Sequence, residues 1–206
     1  NYKPVVVCGG VELSNVFKEN GIRSYNIKFS NKNILFNACN LSKIIKNENI
    51  KIVHAHDNTA SLVSYIAKKI FRCDVKVISH IHNCYPFLIG NGINKKIDKY
   101  LRNKYDFNIT CGKTVTDFYK KNTDYFNEDK NLTLSNAMDI DYITNVDKRE
   151  IEEVIKKYRI PTNKKVLGFI GRLDEQKGII PFIKELAMYK DEFSDSVILL
   201  VGNGSQ

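Results

Sequence analysis

Short apolar runs rich in β-branched residues alternate along the chain with longer stretches whose apolar residues recur at helical spacing. The short runs have the length and composition of strands. The predicted strands are Val5–Cys8, Ser24–Phe29, Lys51–Ala55, Val75–Ser79, Phe107–Cys111, Asn131–Leu134, Val166–Ile170 and Val197–Val201. Because strands and helices alternate, the pattern predicts an α/β fold in which helices cover both faces of a parallel sheet.

One of the helical stretches has a clear period. Leu62, Ile66 and Ile70 follow one another at steps of four residues, which predicts an amphipathic helix with these side chains on one face. Asp57 and Asn58 stand before this stretch, where a helix N-cap is expected.

A change of pattern divides the chain. Residues 135–150 contain many turn formers and little apolar periodicity, and a new strand begins at Val166. We therefore expect a first domain over residues 1–145. Residues 146–206 are expected to be a linker and the beginning of a second α/β domain.

Composition narrows the class of protein. The chain has 206 residues, 43% of them hydrophobic, and no apolar run long enough for a membrane-spanning helix. The five cysteines are scattered and suggest reduced thiols rather than a disulfide framework. We therefore expect a cytoplasmic protein. The net charge is +9, and residues 1–145 hold 21 Lys and Arg against 13 Asp and Glu, so the excess lies in the first part.

The basic stretch 93–105 could meet an anionic partner. Helical spacing puts one set of apolar and aromatic residues on one face: Ile93, Ile97, Tyr100, Leu101 and Tyr105. The basic residues around the rest are Lys95, Lys96, Lys99, Arg102 and Lys104. We expect the apolar face to pack in the core, and the first four basic residues to contact lipid head groups or an acceptor. An ordinary solvated surface is the alternative.

The segment from Gly171 to Gly178 is the sharpest candidate for ligand chemistry. It follows a predicted strand and precedes a predicted helix, with Arg172 and Lys177 between its terminal glycines. Free amide groups, the positive end of a helix dipole and two cations together suit a phosphate or diphosphate. The segment lacks the Gly-Lys-Ser/Thr ending of a P-loop and the spacing of a dinucleotide fingerprint.

Four histidines form two His-x-His pairs on neighbouring predicted strands. They are His54, His56, His80 and His82. Side chains two residues apart in a strand share a face, so the pairs could supply four nitrogens to a metal ion. No cluster of carboxylates accompanies them, and we expect no metal site here.

The ordered set of motifs resembles glycosyltransferase family 4. The motifs are IVHAH at 52–56, VISHIHN at 77–83, the strand at 106–112, LSNAMD at 134–139, VLGFIGRLDEQKG at 166–178 and SVILLVGNGS at 196–205. The stretch 134–139 departs from the family's Pro-Asn-Gly-Val-Asp at three positions, and Asn203 replaces an Asp.

The resemblance implies a fold and a set of site residues. It implies the GT-B fold, with a Rossmann-like acceptor-side domain followed by the first β-α-β unit of a Rossmann-like nucleotide-sugar domain. Arg172 and Lys177 would bind the donor diphosphate, with Gly171 and Gly202 in the same site. His82 would line the reaction centre and hydrogen-bond the transferred sugar. Cationic side chains would replace a metal ion, so no cofactor is expected.

The resemblance also implies a reaction and a setting. The expected activity is transfer of a sugar, with retention, from a UDP- or GDP-linked donor to a glycan or lipid-linked acceptor in bacterial capsule or lipopolysaccharide synthesis. The protein is expected in the cytoplasm, or peripheral at the inner face of the cell membrane. We expect the first strand of the family and a later donor-binding element to lie outside this chain, and this piece to be inactive alone. The alternative for the start is that Gly9-Gly10 is the family's glycine-rich loop, with a shortened helix after it.

Three other interpretations stay open. A dinucleotide-dependent enzyme would need a glycine fingerprint that the chain lacks. A basic module that binds nucleic acid or an anionic surface would explain the charge of +9 but shows no recognised motif, and we expect no nucleic-acid partner. An inactive relative that serves as a scaffold is the third.

Overall fold

The computed structural model of the chain describes residues 3–30 and 32–205. The chain divides into two compact units, and the division lies between Ala137 and Met138. That is a few residues before the predicted boundary at residue 145.

Each strand predicted from the sequence has a counterpart in the structure. The strands of the first unit are β1 (Val5–Cys8), β2 (Arg23–Asn26), β3 (Ile52–His56), β4 (Lys76–Ile81), β5 (Phe107–Thr110) and β6 (Asn131–Thr133). Those of the second unit are β7 (Lys165–Ile170) and β8 (Ser196–Val201). The predicted bounds differ from these by at most three residues at either end.

Helices connect the strands. Those of the first unit are α1 (Val11–Glu19), α2 (Ile34–Asn47), α3 (Asp57–Lys69), α4 (Ile93–Arg102) and α5 (Lys113–Asn122). Those of the second unit are α6 (Ile140–Thr144), α7 (Lys148–Tyr158) and α8 (Ile179–Met188). Short 3-10 turns occur at Pro86–Leu88, Glu128–Lys130 and Glu175–Lys177. The turn at Pro86–Leu88 follows β4 and precedes α4.

Every strand pair in the described residues is parallel, as the α/β prediction requires. The first unit contains a β1–β2 pair and a four-stranded sheet in the order β3-β4-β5-β6. The second unit contains a β7–β8 pair. The fold is therefore α/β with parallel sheets and flanking helices, which confirms the predicted class.

Both sheets of the first unit share one hydrophobic core. Ile27 follows β2, Val77 lies in β4, and both belong to a cluster with residues from α2, α3 and α4. Val7 of β1 and Val53 of β3 pack against the same cluster. One side of the β1–β2 pair and one side of the larger sheet are thus buried by the same helices.

Helix α3 buries a different face from the one its apolar period predicts. Leu62 and Ile66 are only half-buried and Ile70 is 60% exposed. The buried side chains of this helix are mainly small: Ser61, Val63, Ser64 and Ala67. Small side chains let α3 lie close to the sheet, and the two buried serines satisfy their hydroxyls by bonding carbonyls one turn earlier.

Helix α4 also differs from the prediction, and the prediction that Arg102 contacts a membrane or acceptor is wrong. Arg102 is 1% exposed and forms an ion pair with Asp98, four residues earlier, which is also buried. Leu101 and Tyr105 lie in the core as expected. Because the buried ion pair occupies the inner face, other apolar residues of α4 are turned outward.

The guanidinium of Arg102 connects three elements of the first unit. It donates to the Ser79 hydroxyl at 3.0 Å, to the Asn58 side chain at 3.2 Å and to the Tyr119 hydroxyl at 3.1 Å. These partners lie in β4, α3 and α5. The Asn58 side chain therefore binds Arg102 and does not cap α3, whose N-cap has no side-chain hydrogen bond.

The second unit is small and mostly exposed. Ile179, at the start of α8, is its only fully buried hydrophobic side chain among residues 138–205. Asp139 and Asp147 cap α6 and α7 through backbone N–H groups of Tyr142 and Arg149. Strands β7 and β8 pair along their whole length, from Lys165 opposite Ser196 to Ile170 opposite Val201.

Candidate functional site

The loops that follow β7 and β8 are bonded to each other. The Gly171 N–H donates to the Val201 carbonyl at 3.0 Å, and the Leu173 N–H donates to the Asn203 carbonyl at 3.0 Å. A Cβ atom at Gly202 would stand 1.8 Å from the Gly171 oxygen. The glycine requirement in this turn is therefore steric: only a residue without a side chain lets the two loops come this close.

Gly204 has the same role as Gly202. A Cβ atom at Gly204 would stand 1.9 Å from the Leu173 oxygen. At Gly171, by contrast, a Cβ atom would meet only the Phe169 ring at 3.8 Å, an ordinary contact distance. Close approach thus depends on Gly202 and Gly204, and the Asn203 side chain accepts the Gly204 N–H at 2.7 Å.

The two predicted donor-binding cations lie on this turn, and both are exposed. Arg172 has its Nε atom 3.4 Å from an Asp174 carboxylate oxygen and donates to the Gln176 side chain at 3.3 Å. Asp174 also caps the 3-10 turn by accepting the Lys177 backbone N–H at 3.1 Å. These exposed contacts orient Arg172 without neutralising the charge of Lys177.

The start of α8 directly follows these cations in the sequence and has no side-chain cap. Its N-cap is Gly178, whose φ of 68° is left-handed and which provides no capping side chain. The first amides of a helix point outward and carry the positive end of the helix dipole. The turn therefore combines the groups that can bind an anion: an arginine, a lysine and a helix N-terminus.

The four histidines gather on one face of the β3–β4 part of the sheet. The His54 Nε2 atom is 3.0 Å from the His80 Nδ1 atom, and the His56 Nδ1 atom is 2.8 Å from the His82 Nε2 atom. The His80 and His82 rings stack with their centroids 4.1 Å apart. His82, the predicted reaction-centre residue, is half-buried at the end of this cluster.

Burial and mutual repulsion disfavour protonation of His54, His56 and His80. Desolvation, reinforced by neighbouring histidines, lowers the pKa of His54 and of His56. The same causes lower the pKa of His80 to about 4. Protonating these rings would place positive charges side by side in a partly dry site.

A cleft of about 560 Å³ opens at the carboxyl ends of β3 and β4. Its polar and aromatic lining includes Asp57, Asn83, Tyr85, Phe87 and Tyr105. The Tyr85 hydroxyl donates to the Asp57 carboxylate at 2.9 Å, and the Tyr85 and Phe87 rings stack at 5.3 Å. Crevices at this edge of a parallel sheet are the usual place for ligands in α/β proteins.

Asp57 stands in an unusual conformation at the mouth of this cleft. Its φ of 71° is left-handed, which is uncommon for a residue with a side chain. The strained residue directs its carboxylate to Tyr85, so the N-cap role expected for it is not the one observed. One signal in the sequence marks this site: an Asp-Asn pair directly after a strand, where the pattern predicts a helix cap.

The outer face of α4 is both basic and apolar. Lys96 and Lys99 are exposed and Lys95 is half-buried, whereas Ile93 is 68% and Tyr100 60% exposed. The expectation that the apolar face of this helix lies wholly in the core is therefore wrong. Lys95, Lys96 and Lys99 line an open cleft together with Lys121. Among the described residues, no helix is both long and apolar enough to cross a membrane.

Comparison with known families gives a match over most of the chain. The model of the family described as Glycosyltransferase Family 4 matches residues 2–164. No curated protein matches the sequence.

Solved structures share the fold. The chain is similar to a glycosyltransferase from Rickettsia africae, with a TM-score of 0.72 and 20% identity over 97% of this chain and 60% of that one. It is similar to Anabaena HepE in complex with UDP, with a TM-score of 0.71 and 15% identity over 97% of this chain and 53% of that one. It is also similar to S. aureus MnaA with UDP, with a TM-score of 0.60 and 16% identity over 96% and 54% of the two chains.

These identities show a common fold. The chain spans between 53% and 60% of the length of the three proteins.

Proposed function

The chain belongs to Glycosyltransferase Family 4, and on that premise we propose that its protein transfers a sugar from a nucleotide-diphosphate donor to a glycan or lipid-linked acceptor. The proposed setting is bacterial surface polysaccharide synthesis, with retention of configuration at the transferred sugar. UDP is the proposed nucleotide, because two structures that share the fold hold UDP. The second unit is assigned the donor and the first unit the acceptor.

The observation that carries this proposal is the turn after β7. Arg172 and Lys177 stand on a turn whose backbone is fixed by the bonded glycine loops, next to the uncapped start of α8. A diphosphate leaving group develops negative charge as the sugar departs, and prepositioned cations and amides stabilise that charge. We propose that these groups do this work and that the transfer needs no metal ion.

The cleft at the carboxyl ends of β3 and β4 is the proposed acceptor site. Its volume of about 560 Å³ suits one or two sugar residues. The stacked Tyr85 and Phe87 rings offer a flat apolar surface, and the Asp57 carboxylate can accept a hydrogen bond from an acceptor hydroxyl. Asn83 follows His82 directly, so the cleft begins next to the proposed reaction-centre histidine.

His82 is proposed to hold a hydroxyl of the transferred sugar. Its Nε2 atom bonds the His56 Nδ1 atom at 2.8 Å, and its backbone carbonyl accepts the Cys111 thiol at 3.4 Å. The His56 contact orients the ring through its Nε2 atom alone. The free nitrogen is then available to a sugar hydroxyl.

The outer face of α4 is proposed as a peripheral membrane contact. Exposed Ile93, Ile97 and Tyr100 stand among exposed lysines, the combination that binds an anionic lipid surface. Each lysine near such a surface contributes about 1 kcal/mol, so loss of two lowers vesicle binding roughly 30-fold. The variant Lys95→Glu/Lys96→Glu should show at least this loss in flotation with anionic vesicles.

The control for this experiment is Lys43→Glu/Lys46→Glu, which changes the same charge on the exposed side of α2. It should bind vesicles like the unaltered chain. Equal loss in both variants would show that only net charge matters, and absence of vesicle binding by the unaltered chain would remove the membrane proposal.

Turnover tests the function itself. UDP release and sugar transfer by the protein that contains this chain would be followed with a set of UDP- and GDP-sugars and a lipid extract as acceptor source. Arg172→Ala and Lys177→Ala should each lower kcat/KM by about 100-fold or more, since each removes a charge-assisted contact in the transition state. His82→Ala should lower kcat while leaving the free energy of unfolding nearly unchanged. Full turnover in both cation variants would refute the donor assignment.

A further inference from the structure

The histidine cluster has a second feature that sugar transfer does not use. His54, His56, His80 and His82 are all the histidines of the chain, and all four point to one face of neighbouring strands. The opposite face of β4 carries Ser79, whose hydroxyl bonds Ser61 of α3 at 2.9 Å. Because side chains alternate along a strand, the histidine rings lie on the side away from α3. Four imidazoles are therefore concentrated on one partly open surface.

Three of these rings are spaced for a metal ion. One ring nitrogen from each of His54, His56 and His80 lies within 4.8 Å of the other two. The His54 Nε2 and His80 Nδ1 atoms are 3.0 Å apart. Two nitrogens bound to the same tetrahedral Zn²⁺ are about 3.3 Å apart. Small side-chain rotations would bring the three nitrogens around one ion, without movement of the strands.

The cluster is not fully satisfied as it stands. His80 is only 6% exposed. Its Nε2 atom is buried and has no hydrogen-bond partner among the described residues. A buried polar atom without a partner costs free energy. A bond from an ion to this Nε2 atom would remove that cost.

The surroundings of the three rings favour binding of a metal cation over protonation of the rings. Metal ions bind neutral imidazole, and burial together with the neighbouring rings lowers the pKa of His54, His56 and His80. The Asp57 carboxylate opposes this decrease, because its negative charge acts to raise the pKa of His56 and of His80. A divalent ion would satisfy that attraction without adding a proton to each ring.

We propose that His54, His56 and His80 form a binding site for one borderline divalent transition-metal ion, with Zn²⁺ as the ligand tested. An all-imidazole set of ligands suits Zn²⁺, Ni²⁺ or Cu²⁺, whereas Mg²⁺ and Ca²⁺ prefer oxygen ligands. His82, bonded to His56, orients that ligand from outside the site. The ion would stabilise the β3–β4 edge and is independent of the proposed donor site in the second unit.

The experiment is a Zn²⁺ titration of the chain after removal of metal by a chelator. Isothermal calorimetry and metal analysis after dialysis should give one equivalent of Zn²⁺ per chain. His54→Gln and His80→Gln should each weaken binding at least about tenfold. His54 is exposed, so the first of these variants keeps the experiment valid if the second does not fold. Zn²⁺ should also raise the thermal midpoint of the unaltered chain.

Cysteines are the competing source of zinc binding, and matched variants separate the two. Cys39→Ser and Cys84→Ser should leave Zn²⁺ affinity unchanged, and a Co²⁺-loaded chain should lack thiolate charge-transfer absorption. Loss of binding in a cysteine variant, equal binding in folded histidine variants, or no retained Zn²⁺ in the unaltered chain would each overturn the proposal.

Discussion

The buried pair Asp98–Arg102 provides the most quantitative prediction for the first unit. The change is Arg102→Met, which keeps the length and apolar stem of the side chain and removes the guanidinium. In the structure the side chains of Asp98 and Arg102 are 5% and 1% exposed. Removing one partner of such a pair leaves the other charge buried, which costs about 3–5 kcal/mol.

Other contacts adjust this value only slightly. Arg102 also donates to Ser79 and Asn58, and these acceptors would lose a buried partner. Asp98 would retain the Tyr125 hydroxyl, which donates to it at 2.9 Å. We therefore expect a loss of about 4 kcal/mol in the free energy of unfolding of the first unit.

Urea unfolding, followed by circular dichroism and tyrosine fluorescence, measures this loss. With an m-value of about 2 kcal/mol/M, the midpoint should fall by about 2 M. Lys99→Met on the same helix is the control, because the side chains of its ion pair with Asp124 are 57% and 75% exposed. That variant should lose at most about 1 kcal/mol.

The double variant Asp98→Asn/Arg102→Met checks the physical reason. Removing both charges should restore part of the loss, since no uncompensated charge stays buried. An Arg102→Met loss as small as that of Lys99→Met, or a double variant as unstable as the sum of the two single variants, would refute the reasoning.

Two further predictions concern a loop and a carboxylate. Gly202→Ala should separate the loops after β7 and β8, because the added Cβ would stand 1.8 Å from the Gly171 oxygen. In thermal unfolding this variant should destabilise the second unit by roughly 1–3 kcal/mol. Gly171→Ala should be nearly neutral in that experiment, since its added Cβ would meet only the Phe169 ring at 3.8 Å. Partial burial acts to raise the pKa of Asp106, but hydrogen bonds from Lys68 and the Val77 N–H hold it below the usual 3.8. The ionised Asp106 carboxylate therefore stabilises the fold fully above its usual pKa, and this stabilisation is lost as the pH falls through the lower pKa of the folded state. Asp106→Asn should therefore flatten the fall in the free energy of unfolding below about pH 4.

The sequence predicted the strands well because buried parallel strands are nearly continuous apolar runs. Strand β7 extends from Lys165 to Ile170 and β8 from Ser196 to Val201, each starting one residue before its predicted bound. The turn with Arg172 and Lys177 could be predicted because its glycines and cations lie close together in the sequence. Local signals of this kind need no knowledge of tertiary packing.

The errors arose where packing overrides periodicity. In α3 the small residues are the buried ones, whereas Leu62 and Ile66 are only half-buried against the core and Ile70 is exposed. In α4 the charge of Arg102 suggested solvent, although Asp98 four residues earlier offered a partner for burial. The cleft around Tyr85 joins segments that are distant in sequence, so no local pattern could predict it.

The most direct test of the account is titration with UDP of the protein that contains this chain. The donor assignment predicts saturable binding of UDP that Arg172→Ala and Lys177→Ala each weaken at least tenfold, since each removes a charge-assisted phosphate contact. Lys184→Ala removes an exposed charge from α8 without altering the turn, and it should bind UDP like the unaltered chain. No UDP binding, or equal affinity in all three variants, would contradict the central claim.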